Sequence, residues 1–248
     1  MTSVDLNCDL GEGAGHDAEL MPLISSANIA CGGHAGDETT MRATILLALE
    51  HGVAIGAHPG FADRENFGRL ELPLSVAEVR GLVLSQVQHL LSVALHCNAR
   101  VRHVKPHGAL YNMAARDRDL AQAVADAIYE ADPRLLLVGL AGSCLLEAGA
   151  ACGLSTISEG FADRTYQADG SLTPRSQPGA LITDGKAAAT QVLRMVREGK
   201  VTANDGGEVP ISAETICLHG DGEQAVAFAV GLRDALKQAG VEIKSFVA

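Results

Sequence analysis

The stretch Val104 to Asn112, VKPHGALYN, places a lysine, a histidine and a tyrosine where an apolar strand pattern gives way to proline and glycine. Lys105 supplies a fixed positive charge, His107 a group that titrates near neutrality and Tyr111 a phenolic donor. Pro106 and Gly108 set the backbone that aims them. The ends of other strand-like runs carry comparable groups: Asp9 and Glu12, His34 and Asp37, His58, Glu159 and Asp163, His219 and Asp221. A carboxylate among them can activate water, a lysine or arginine can stabilise developing negative charge, and an imidazole can move a proton. Any one of these residues could be ordinary polar decoration of a turn. Together at one end of a molecule they would be costly unless they served a function.

The elements that must position them follow from periodicity. Val4 to Leu10 alternates apolar and polar residues, with Asp5, Asn7 and Asp9 on one face. Further strands are expected at Ser26 to Gly32, Val53 to His58, Val101 to His107, Leu135 to Leu140, Leu154 to Glu159 and Thr215 to His219, with a short closing strand at Val241 to Val247. Helices are expected between them. Asp37 is placed to cap the helix Glu38 to His51, and Val76 to His96 carries an apolar stripe. Others run from about Asp117 to Glu130, Ser143 to Ala151, Asp184 to Glu198 and Glu223 to Ala239, while Leu172 to Ile182 is an irregular loop with Arg175. His51, His89 and His96 fall on helices and are expected at the surface. Seven or eight strands alternating with helices point to a parallel sheet with right-handed crossovers, closed into a TIM-like (β/α) barrel, with an open doubly wound sheet as the runner-up. In such a barrel the site forms at the C-terminal ends of the strands, where the ionisable residues fall.

At 248 residues the chain suits one barrel domain spanning residues 1–248, and no Gly/Ser/Pro-rich linker divides it. Hydrophobic residues make up 47%, but aromatics only 3% and tryptophan is absent, so small aliphatic side chains must fill the core. A net charge of -11 argues against a nucleic-acid partner. Cys8, Cys31, Cys97, Cys144, Cys152 and Cys217 show no C-x-x-C spacing and read as reduced, small hydrophobes. The first residues, MTSVDLNCDL, have no basic and apolar signal pattern, and no apolar run reaches membrane length. A cytoplasmic protein with no membrane contact is expected. Two phosphate-binding motifs are approached and missed. GEGAGH has His16 in place of the third glycine of a dinucleotide fingerprint, and GALITDGK has the wrong glycine spacing and Ala187 where a P-loop needs Ser or Thr. FADR occurs at Phe61 to Arg64 and again at Phe161 to Arg164, too short an echo to define a repeat.

DLNCDLGEG, SSANIACGGHAGDE, GAHPGF with FGR, VKPHGALYN, EGFADRTYQADGSLTPR and CLHGD together resemble the LamB/YcsF family, from Asp5 to the last helix. Gly33 and Leu70 depart from its usual pattern, which has an aromatic and a second arginine at those places. The resemblance implies a seven-stranded barrel related to glycoside hydrolases and polysaccharide deacetylases. It also implies one component of a bacterial 5-oxoprolinase, the A subunit. That enzyme opens the lactam 5-oxo-L-proline to L-glutamate with ATP (and Mg) as cosubstrate, using separate B and C subunits. On that reading Asp9, Glu12 or Glu159 activates water. Lys105 with Arg164 or Arg175 holds anionic oxygens, and His107 or His219 protonates the leaving nitrogen. Asn7, His34, His58, Tyr111, Asp163 and Asp221 complete the site. Two other readings remain open. A self-sufficient metal-dependent amide hydrolase could use Asp9, His34, His58 and His219 as nitrogen and oxygen ligands. A non-catalytic lactam-binding module is the third.

Overall fold

The computed structural model describes residues 2–220, 222 and 224–247. Seven parallel strands close on themselves: β1 (Ser3–Leu10), β2 (Ser26–Ala30), β3 (Ala54–His58), β4 (Val101–Val104), β5 (Leu136–Leu140), β6 (Thr156–Phe161) and a last barrel strand, Thr215–Leu218, which pairs with both β6 and β1. Asp5 lies in register with Thr215 where the barrel shuts. Between β6 and that last strand, β7 (Lys200–Thr202) and β8 (Glu208–Pro210) form a small antiparallel ribbon, so the last barrel strand is β9. A final pair of residues, β10 (Glu242–Ile243), runs parallel to the start of β1. The expected seven-stranded barrel is therefore present.

The helices bury the outward faces of the strands. They are α1 (Asp17–Leu20), α2 (Glu38–His51), α3 (Val76–His96), α4 (Gly108–Arg116), α5 (Arg118–Ala131), α6 (Cys144–Cys152), α7 (Gly185–Glu198) and α8 (Ala225–Gln238). Their starts are written locally. Asp37 accepts from the Thr40 amide at 2.9 Å while the Thr40 hydroxyl accepts from the Asp37 amide at 2.7 Å, and Ser75 with Glu78 makes the equivalent box at α3. Val4, Leu6, Cys8 and Leu10 of β1 are all buried in the hydrophobic core with Ile29, Met41 and Ile45, as the alternation of β1 requires. His51, His89 and His96 are exposed, as expected of helix surface positions.

Helix α4 departs from the sequence expectation. Strand β4 ends at Val104, not His107, and a helix begins two residues after Pro106. Proline and glycine, which signal a turn in the sequence, here lead directly into the helix. Gly108 has φ 55°, and a Cβ there would lie 2.6 Å from the Gly68 carbonyl oxygen, so this entry suits glycine alone. The consequence is that Tyr111 sits one turn into a helix, with its side chain directed back to the barrel.

Candidate active site

Lys105 is the centre of the mouth. Its Nζ lies 3.0 Å from Asp9 Oδ1, 3.0 Å from Glu159 Oε1, 3.1 Å from Asn7 Oδ1 and 3.1 Å from Cys217 Sγ, and the residue is buried. Burial favours the neutral amine, yet Asp9 and the other partners outweigh it and hold the ammonium well above its ordinary value. Asp9 shows the converse: burial opposes its ionisation, but His58 and Lys105 hold the carboxyl well below the usual range. Glu159 is fully enclosed. Asn7 Nδ2 donates to its Oε1 at 2.9 Å and Tyr111 Oη to its Oε2 at 2.7 Å, so both oxygens are committed. Burial and the adjacent Glu159 push the Tyr111 phenol well up, which keeps it a donor.

A second group adjoins this one. Glu12 Oε1 lies 3.1 Å from His34 Nε2, 3.4 Å from His107 Nδ1 and 3.8 Å from His58 Nε2. His34 and His107 stack with ring centroids 3.7 Å apart and planes 4° from parallel. Burial, followed by the neighbouring His58, lowers His34 to about 3 and holds His107 well below its ordinary value. His58 also reaches Asp9 Oδ2 at 3.3 Å and so joins the two groups. The expected metal set is divided by this arrangement: His34 and His58 converge with Glu12 and His107, whereas Asp9 and His219 converge with Cys217. Two members of the second group, Asp9 and Cys217, already contact the Lys105 ammonium. Asp37, expected at this end, is exposed and serves as the α2 cap.

The third part of the mouth is His219 with Asp163. His219 Nδ1 lies 2.7 Å and 2.9 Å from the two Asp163 oxygens. Burial works against ionisation of Asp163, but His219 beside it outweighs that and holds the carboxyl below its usual value. Arg164 is buried and donates to the carbonyls of Thr173 and Ala180, so it ties down the loop that follows β6. Arg175 is exposed on that loop and close enough to bias both Asp163 and Arg164. Asp221 lies outside the described residues. Gly33, one of the two departures from the family pattern, lies against the Gly60 carbonyl and the Gln86 amide: a Cβ would come within 2.6 Å of each. Gln86 bridges the amide and carbonyl of Gly60, so an aromatic at position 33 would have to displace it.

Below the mouth the barrel interior is polar, and the Asp5, Asn7 and Asp9 face read from the sequence is joined there by Asn28 and His103, which the sequence expectations do not include. Asn28 Nδ2 donates to Asn7 Oδ1 and Asp9 Oδ1, each at 2.8 Å, and its own Oδ1 lies 2.8 Å from His103 Nε2. Deeper still, Asp5 accepts from Ser25, Ser26 and Thr215. Barrel interiors are usually packed with branched apolar side chains. The sequence does hold a signal for this column: His103 is two residues before Lys105 and Asn28 two after Ser26, so each shares a strand face with another inward residue.

Among the described residues, no helix is long and apolar enough to cross a membrane. The sequence matches the LamB/YcsF family over residues 4–248. It is 56% identical over 250 residues to a Shouchella clausii protein named as the A subunit of 5-oxoprolinase, covering 99% of each chain. The lactam utilization protein of Thermus thermophilus, a crystal structure, matches with TM-score 0.91 and 48% identity over 98% of this chain and 100% of that one. A family 4 carbohydrate esterase from Streptomyces lividans matches with TM-score 0.51 over 100% of this chain and 93% of that one, at 11% identity, a likeness of fold alone. The chain belongs to the LamB/YcsF family.

Proposed function

We propose that this chain is the A subunit of an ATP-dependent 5-oxoprolinase, a single barrel domain working in the cytoplasm with separate B and C subunits. The observation that carries the reading is similarity, at 56% identity across 99% of both chains, to a protein named as that subunit. The three linked groups at the mouth suit the chemistry. A lactam is a poor electrophile. Transfer of the ATP γ-phosphoryl group to its carbonyl oxygen releases ADP and makes C5 open to water. Attack forms a C–O bond while the water loses a proton. Cleavage of the C5–N bond then returns a proton to nitrogen and leaves a γ-glutamyl phosphate, which a second water hydrolyses to glutamate and phosphate.

We assign the proton transfers to His219. Its Nδ1 is fixed by Asp163, which orients the ring and supports the imidazolium that forms on proton uptake. His107 suits this role less, because its Nε2 is taken by the Phe67 carbonyl at 2.9 Å. Glu159 is too fully bonded to act as the base, and Asp9 is held too acidic to be an effective one. Lys105 holds these carboxylates in place. Arg175 is the basic group we assign to anionic oxygens of the substrate or phosphate. The nucleotide binds largely on a partner, since this chain lacks a complete phosphate-binding motif.

Purified chain, alone and with its B and C partners, is incubated with 5-oxo-L-proline and ATP. Glutamate and ADP should appear together only in the complete mixture. Steady glutamate production by the chain alone without ATP would overturn this reading and favour the self-sufficient hydrolase. Saturable lactam binding without turnover in the complete mixture would favour the binding module.

A further inference from the structure

Two of the three histidines beside Glu12, His58 and His107, have their tautomers constrained in a way that leaves lone pairs facing one another. His58 Nδ1 lies 2.7 Å from the Lys105 carbonyl oxygen, and His107 Nε2 lies 2.9 Å from the Phe67 carbonyl oxygen. A carbonyl only accepts, so each of these nitrogens carries the ring proton. In the neutral rings the other nitrogens, His58 Nε2 and His107 Nδ1, are then both bare. They sit 2.9 Å apart. Two lone pairs at that distance repel unless something positive lies between or beside them. Glu12 Oε1 adds a third acceptor at 3.4 Å and 3.8 Å, and His34 Nε2 a fourth donor atom 3.1 Å from that oxygen.

A proton at His58 Nε2 would relieve that pair and face Asp9 Oδ2 at 3.3 Å, and His34 Nε2 could donate its own proton to Glu12. A metal ion would serve all four. With ligand bonds of about 2.0–2.1 Å, a tetrahedral ion separates neighbouring donor atoms by about 3.4 Å. The separations here, 2.9, 3.1, 3.4 and 3.8 Å, scatter around that edge, and all four donor atoms lie within 4.8 Å of one another. Ligating histidines commonly donate their second N–H to a backbone carbonyl, as His58 and His107 do here.

From this geometry we infer that Glu12, His34, His58 and His107 form a binding site for one divalent first-row ion of the imidazole-preferring kind, such as zinc, nickel or cobalt. Three nitrogens and one carboxylate oxygen favour these over magnesium or calcium, which take oxygen ligands. The neighbouring Asp9, Cys217 and His219 do not make a second such site, because the Lys105 ammonium already lies between Asp9 and Cys217. The inference is independent of the lactam reading.

The test uses the full chain alone, stripped with chelator, dialysed against zinc or cobalt and analysed for bound metal, with no lactam or ATP present. About one ion per chain is expected, with visible d–d absorption for cobalt and a rise in Tm on zinc addition. His107→Ala should abolish stoichiometric uptake. Glu12→Gln, an isosteric change at a loop residue, should keep the fold by circular dichroism and weaken binding tenfold or more. His51→Ala, on the outside of α2, should bind as the parent does. No specific uptake by the parent chain, or unchanged affinity in Glu12→Gln, would overturn the assignment. Such a failure would leave the ATP-dependent assay unaffected, so the two readings fail separately.

Discussion

Lys105 shows how far a residue's role is set by what encloses it. As a residue at a strand end it reads as a charge offered to substrate, and Lys105→Met then looks like a clean deletion of that charge. In the folded chain it bridges two buried carboxylates, Asp9 and Glu159. Removing one partner of a buried ion pair leaves an uncompensated charge, at a cost of about 3–5 kcal/mol. Lys105→Met should therefore lower stability by that order as well as reducing turnover of the assembled system by about 100-fold or more. Adding Glu159→Gln to Lys105→Met should recover part of the stability without restoring turnover. Denaturant titration beside the coupled assay separates the two effects. Normal stability in the single variant would show that the surrounding carboxylates take up protons instead.

At the scale of elements, β3 and β4 are fitted together by one close approach. Gly56 of β3 faces His103 of β4, and a Cβ at Gly56 would fall 2.1 Å from His103 Nε2. That nitrogen holds Asn28, and Asn28 in turn holds Asn7 and Asp9. The glycine is thus a slot for a ring that supports the mouth from below. Gly56→Ala should force the ring aside and destabilise the chain by about 1–3 kcal/mol, the usual cost of overpacking. Thermal unfolding checks the stability, and turnover in the assembled system should fall more than the stability loss alone explains. Unchanged Tm and turnover would mean that His103 has room to move and that the column does not position Asp9.

Across the whole molecule, the buried polar interior predicts how stability depends on pH. Burial, offset only in part by hydrogen bonds from Ser26 and Thr215, raises the Asp5 carboxyl to about 6. Below about pH 4 both folded and unfolded chains hold this proton, so Asp5 imposes no penalty there. As pH rises from about 4 to about 6 the unfolded chain ionises first, and stability falls by a share that reaches about 3 kcal/mol above that range. Asp9 and Asp163, whose carboxyls are lowered, contribute in the opposite sense, losing stability as pH falls through their folded values. Comparing the chain with Asp5→Asn isolates the Asp5 share. The stability difference between the two, measured by denaturant titration, should shift in favour of the variant by about 3 kcal/mol between about pH 4 and pH 7. A difference that stays flat across this range would show that Asp5 ionises normally inside the barrel.

Much of this architecture is legible in the amino-acid sequence because it depends on local rules. Two-residue alternation in β1, the Asp37 cap before α2 and the apolar stripe of α3 are set by side-chain direction and by the unpaired amides of a helix start. Alternation of strands and helices carries the barrel, and the barrel carries the expectation that Asp9, His34, His58, Lys105, Glu159 and His219 share one end. What the sequence alone does not decide is which of these residues meet. Helix α4 is hidden because Pro106 and Gly108 serve equally as turn residues and as the entry to a helix. The spacing of His103 from Lys105 and of Asn28 from Ser26 gives their strand face but not their partners, because burial of a polar side chain depends on groups far along the chain, here 75 residues apart. The division of the mouth into a lysine cage, a histidine cluster and a His219–Asp163 pair rests on the same long-range closure. Spacing along one strand determines which face a residue takes; only the register between strands, fixed when β9 pairs with β1, determines what stands opposite it.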